Sequence, residues 1–215
     1  MRKAQPNTIP LPLSPLVVCN AAVMRLTVDQ YQRMMETGIL VEGAPYELIQ
    51  GIIVRKDRSA VGEDRSTVGC EHVWCVQKLG RLDKKLERLG CHMQLQSPVI
   101  MSNLDEPEPD GVILRGTIDD YKLRKPAAKD ASCVMEVADG SLLYDRTDKL
   151  SLYANSNIPQ YVIINLPDRL IEIYTEPRVL KGRYCRTQSF RTADKIRFGI
   201  SGNRTIEMTA RSLLP

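Results

Sequence analysis

The apolar run Cys133-Val-Met-Glu-Val-Ala138 carries one carboxylate, Glu136, in its interior. Any fold built around that run has to bury the charge, and Asp and Glu are seldom fully buried unless paired. So short a run reads as a buried strand, on which Glu136 and Ala138 share one face and Val137 takes the other. A second carboxylate, Asp110, follows Pro109 and precedes the apolar run Val112-Ile-Leu114, while Asp145 and Lys149 follow on a segment of helical spacing. Two unit charges about 4 Å apart repel by roughly 4 kcal/mol at an effective dielectric of about 20. Neighbouring strands bearing Asp110 and Glu136 would therefore call for a proton, a cation or a metal. Oxygen donors of this kind suit Mg²⁺ or Mn²⁺, and a lysine from the next helix makes the place a plausible pocket for a hard cation and a phosphodiester.

The remaining elements follow from periodicity and punctuation. Thr27-x-x-Gln30 is a capping-box pattern, Val28, Tyr31, Met34 and Met35 form one apolar helix face, and Gly38 ends that helix. Residues 46–54 alternate about Gln50-Gly51, a tight hairpin, and the polar segment 55–69 is expected to be a mobile loop. Val73, Val76, Leu79, Leu82 and Leu86 predict one helix over 71–89, stopped by Gly90. Strands are expected at 93–100, 111–115 and 132–138, then a helix over 144–155 with Leu150, Tyr153 and Ala154 turned inward, then a strand at 161–166. Alternation beyond Asp168 predicts a small antiparallel appendage.

This order gives an α/β fold: a mixed sheet flanked by helices, with an N-terminal helix and hairpin and a C-terminal antiparallel appendage. The strand at 161–166, reached by a helical crossover, should run parallel to its neighbour. Residues 1–23, with Pro6, Pro10, Pro12 and Pro15, read as an extended arm. Residues 24–215 read as one domain with its core at about 71–166.

Several function classes are disfavoured. One tryptophan and two phenylalanines argue against a base-stacking platform for single strands. A net charge of +4 permits a nucleic-acid partner without requiring one. Basic residues at 78–88 and 122–129 alternate with acids, so a solvated face is as good a reading as a phosphate contact. Arg2 and Lys3 precede an apolar stretch, but its prolines interrupt a signal-peptide core, and no apolar segment approaches the roughly 18 residues of a membrane span. Cys19, Cys70, Cys75, Cys91, Cys133 and Cys185 are scattered, as in a reduced, cytoplasmic protein. Cys70, His72, Cys75, Cys91 and His92 raise a zinc-stabilised interaction domain as an alternative, although their spacings are not those of paired zinc knuckles.

The element order, with Pro109-Asp110 on one strand and Glu136 on the next, resembles the PD-(D/E)XK nuclease superfamily of restriction-endonuclease-like fold. Thr27-Val-Asp-Gln-Tyr31, Tyr46-Glu-Leu-Ile-Gln-Gly51, Glu108-Pro-Asp110, Glu136-Val-Ala-Asp-Gly-Ser141, Asp145-x-x-x-Lys149-x-x-x-Tyr153-Ala and Ile158-Pro-Gln-Tyr-Val162 narrow the likeness. As a connected series over about 26–175 they resemble the Uma-type family of restriction endonucleases.

The resemblance implies a Mg²⁺- or Mn²⁺-dependent endonuclease acting on DNA, with Asp110 and Glu136 as metal ligands. Superfamily members often place a lysine two residues after the second acid, where this chain has Ala138; in this family it moves to the following helix, which implies Lys149. The resemblance also puts Glu47 and His72 at the edge of the site. Gln50, Asn157 and Gln160 stand where the family has other residues, and none of the three is an implied metal ligand. Cutting both strands of a duplex suggests a homodimer. A catalytically silent DNA-binding or accessory module on the same fold is the alternative. Plainer readings accompany each residue: a surface ion pair for Asp145 and Lys149, a turn residue for Asp110, a hairpin cap or partner for Glu47, an inert helix start for His72, and a helix cap for Ser141.

Overall fold

The computed structural model describes residues 24–41, 43–55, 69–200 and 204–215. The Pro-rich arm and most of the polar loop expected at 55–69 lie outside the described residues. Helix α1 (Val28–Glu36) begins as its sequence predicts: the Gln30 amide donates to Thr27 Oγ1 at 3.2 Å and the Thr27 amide to Gln30 Oε1 at 2.9 Å. Strands β1 (Tyr46–Ile49) and β2 (Ile52–Arg55) form the expected hairpin.

The hairpin's turn residues Gln50 and Gly51 have φ of 52° and 73°, the left-handed pair that a two-residue turn requires. A Cβ at Gly51 would lie 2.6 Å from Arg25 Cβ, so the segment leading into α1 packs directly on the turn. Gly51→Ala should cost about 1–3 kcal/mol from backbone strain and this clash. A denaturation midpoint equal to that of the parent protein would refute it.

The predicted single helix over 71–89 is two helices, α2 (Cys70–Gly80) and α3 (Asp83–Glu87). At the break the amides of Arg81 and Leu82 reach back only three residues, to the carbonyls of Lys78 and Leu79. The turn tightens and the chain swings. Asp83 then accepts a 2.8 Å bond from the Met93 amide, which ties α3 to the next strand. The inward face of α2 is centred on Cys75, Val76 and Leu79. At three to four residues per turn that face continues to His72, and Val73, expected inside, is 43% exposed.

Six strands make the central sheet: β3 (Cys91–Leu95), β4 (Gly111–Arg115), β5 (Ala131–Ala138), β6 (Gln160–Asn165), β7 (Leu170–Arg178) and β8 (Arg183–Phe190), paired in that order. All neighbours are antiparallel except β5 and β6, which are parallel as the crossover requires. The expected strand at 93–100 stops at Leu95, because Gln96 turns left-handed with φ 41°.

The appendage predicted after Asp168 is divided. β7 and β8 extend the sheet, whereas β9 (Lys195–Gly199) and β10 (Thr205–Thr209) form a separate hairpin. One sheet face packs Cys133, Met135, Val137, Val162 and Ile164 with α2, α3 and that hairpin. The opposite face packs Val134, Ala138, Tyr161 and Ile163 with α5 (Leu150–Asn155). No helix among the described residues is long and apolar enough to cross a membrane.

Candidate functional site

Every residue of β5 is buried, so Glu136 enters the interior with its strand, on the face shared by Val134 and Ala138. Asp110 stands immediately before β4, the antiparallel neighbour of β5, whose Gly111 pairs with Met135. That register joins the two acids through the main chain. The Asp110 amide donates to Glu136 Oε2 at 3.3 Å, and the Val137 amide donates to Asp110 Oδ2 at 2.9 Å. Gln96 adds a side-chain bond of 3.3 Å to Asp110 Oδ1.

The lysine arrives on the crossover. α4 (Leu142–Tyr144) and α5 are parts of one continuous helix, interrupted by a π-turn over Asp145–Lys149. Such single widened turns shift the inward face of a helix and recur at functional sites. Both ends of this one are buried, Asp145 at 4% and Lys149 at 2% exposure, so the surface ion pair is overturned. The Lys149 ammonium instead lies 2.8 Å from Glu47 Oε1 and 3.3 Å from Glu136 Oε1. Burial would lower its pKa, but the two carboxylates outweigh that and hold the ammonium charged.

Glu47 is drawn in from β1 and also accepts the Glu108 amide at 2.7 Å. It therefore joins the hairpin, the segment before Asp110 and the crossover helix, more than a hairpin cap does. His72 Nε2 lies 3.1 Å from Asp110 Oδ2. The five residues singled out in the sequence thus form one connected chain: Glu47, Lys149, Glu136, Asp110, His72.

Sequence reasoning misses three contributors. Tyr153, expected only in the core, donates its hydroxyl to Glu136 Oε1 at 2.7 Å. Its position four residues after Lys149 is the signal that could have found it. Gln96 carries no signal. Asp145 stands in the sequence reading as a member of the family motif and an ion-pair partner, with no role in the site assigned to it. Ser141, expected to cap the helix, makes no side-chain cap bond and donates instead to Asp145 Oδ2 at 2.6 Å.

Burial, followed by the charge of Glu136, pushes the Asp145 carboxyl up to about 7, against the pull of the Ser141 hydroxyl and Lys149. A carboxyl whose folded pKa is raised loses stability as pH climbs from the ordinary carboxylate range through the folded value. In EDTA the protein should lose on the order of 1–4 kcal/mol from this group between pH 5 and pH 8. Asp145→Asn should remove that slope; parallel pH–stability curves for the two proteins would refute it.

The cysteine–histidine cluster does not assemble. Cys75 Sγ bonds the Leu213 carbonyl at 3.3 Å, His92 Nδ1 faces the Gly116 carbonyl at 3.2 Å, His72 is turned to Asp110, and Cys70 is exposed. Among the described residues no group of three or more His, Cys, Asp or Glu side chains is arranged to hold a metal ion. Were Asp110 and Glu136 to hold an ion, they would supply two carboxylates. Mg²⁺ is commonly bound by one or two carboxylates and otherwise keeps water or takes substrate phosphate, and two hard oxygen donors fit it in number and kind.

The family model Uma2, described as "Putative restriction endonuclease", matches residues 28–199. Among solved structures, a "putative nuclease belonging to DUF820" from Anabaena variabilis is similar with a TM-score of 0.61 at 12% sequence identity. The match covers 87% of this chain and 97% of that one, and at such identity it speaks for the fold alone. The comparison with curated proteins finds no significant match.

Proposed function

We propose that this chain, which belongs to the Uma2 family of putative restriction endonucleases, is a divalent-metal-dependent endonuclease hydrolysing DNA phosphodiester bonds. The observation that carries the reading is the coupling of Asp110 to Glu136 through one main-chain amide, with Lys149 on the second oxygen of Glu136. Asp110 and Glu136 are the residues that would hold Mg²⁺ or Mn²⁺. When bound, such an ion supplies charge neutralisation at phosphate oxygens and activation of the attacking water.

The chain's own groups do the positioning. Lys149, fixed by Glu47 and kept charged, orients the reacting phosphate and stabilises the charge that develops on it. It is a poor general base, since both neighbouring carboxylates favour its protonated form. Tyr153 fixes the rotamer of Glu136, and His72 does the same for Asp110. Exposure decides the direction of approach: the His72 and Asp110 side chains are 16% and 7% exposed, Lys149 and Glu47 2% and 1%. Substrate therefore enters from the end where α2 begins. In this reading residues 24–215 act as one domain, and a homodimer would present two sites to the two strands of a duplex.

The test is incubation of supercoiled plasmid and branched DNA with the protein in Mg²⁺, Mn²⁺ or EDTA. Nicking in metal, lost in EDTA and in Asp110→Ala, is the expected result. Binding of DNA without cleavage of any substrate in any metal would favour the silent binding module.

A further inference from the structure

Two basic stretches stand out in the sequence, 78–88 and 122–129, and the structure separates them. In the second, Arg124 pairs with Asp130 at 2.6 Å and Lys125 with Glu106 at 2.5 Å. In the first, Lys78, Arg81 and Lys85 make no ion pair among the described residues. Asp83, the acid between them, is turned to the Met93 amide. The Lys78 ammonium lies 4.7 Å from the centre of the Trp74 ring, an arrangement that leaves its charge intact.

These three residues come from α2, the break after it, and α3, yet all three border one concavity. Together they line a cavity of about 210 Å³ between the helix pair and the C-terminal segment, which contributes Met208 and Ser212 beside Leu82. Among the described residues no acid lines it. Had α2 and α3 been one straight helix, Arg81 and Lys85 would have stayed on a convex surface. The break makes the concavity.

Resting on the nuclease reading above, we infer that this cavity is a phosphate-binding subsite for the nucleic-acid backbone flanking the bond to be cut. α2 starts at the candidate site, where His72 meets Asp110. Lys78 and Arg81 lie about 9 and 14 Å further along its axis at 1.5 Å per residue. Each DNA strand carries one phosphate per about 3.4 Å of duplex axis, so for a duplex lying along α2 the subsite falls about three to four base steps from the reacting phosphate. Phosphate binding of this kind fixes register on the duplex and reads no sequence.

The test compares wild type with the triple variant Lys78→Gln, Arg81→Gln, Lys85→Gln. Binding to a short fluorescent DNA duplex is measured by anisotropy in EDTA across a salt series, and metal-dependent nicking at saturating and limiting protein. The expected result is about tenfold weaker binding, with a salt slope shallower by about 0.9 for each phosphate that the variant no longer neutralises. The thermal midpoint should stay unchanged, while nicking at limiting protein should fall by about the same factor as binding.

Wild-type binding with the same affinity and slope in the triple variant overturns the subsite and leaves the nuclease reading standing. Failure of wild type to bind or nick any nucleic acid overturns both. Loss of affinity for a polyglutamate peptide, but not for the duplex, assigns the surface to an acidic protein partner instead.

Discussion

Asp110→Asn and Glu136→Gln should each lower metal-dependent DNA cleavage by at least about 10²–10³-fold, the loss typical of removing one preorganised charge-stabilising group. Each replacement keeps the shape and one acceptor oxygen. The Val137 amide can still bond position 110, and the Tyr153 hydroxyl can still bond position 136. The folded state should therefore persist, with thermal midpoints within a few degrees of wild type. Mn²⁺ titration of the inactive variants separates causes: weakened binding in both is expected if both carboxylates are ligands. Cleavage at the wild-type rate in either variant would remove that residue from the site.

Lys149→Met should produce the largest loss of stability of any single change at the site, about 3–5 kcal/mol in metal-free buffer. Removing one partner of a buried ion pair leaves the other charge uncompensated. Here two carboxylates, Glu47 and Glu136, are 1% and 3% exposed and both lie against the ammonium. Methionine fills much of the volume, so the loss reads the charge more than a cavity. Adding Glu47→Gln to that variant should return part of the stability, because the two positions are directly coupled. It should return no activity. Mg²⁺ should raise the midpoint of Lys149→Met if Glu136 ligates metal, since a ligand that binds only the folded state stabilises it. A midpoint indistinguishable from wild type in EDTA would show that Lys149 is not the counter-charge of this cluster.

Much of the framework is legible in the sequence because its causes are local. The capping box at Thr27 and the turn at Gln50-Gly51 involve residues within three or four positions of one another. The parallel pairing of β5 and β6 follows from the handedness of a helical crossover, and the face carrying Glu136 follows from the two-residue period of a strand. Asp110 and Glu136 are legible as a pair for the same reason: each is adjacent to, or inside, a strand that the sequence announces. By spacing alone Lys149 is one half of an Asp–Lys pair, which on an ordinary helix lies at the surface; only the family resemblance marks it as the site lysine.

The sequence by itself determined the strands, most of the helices and the acids buried with them, since alternation and helical periodicity record which face of each element avoids water. Tertiary structure decided the rest. It turned His72 rather than Val73 inward, broke the 71–89 helix into a concave basic wall, and widened the crossover helix at Asp145–Lys149. It also gave Lys149 its partner Glu47, 102 residues earlier in the chain. Periodicity cannot carry such pairings, because an ion pair between distant elements depends on where packing sets them down, and no residue near either one encodes that distance.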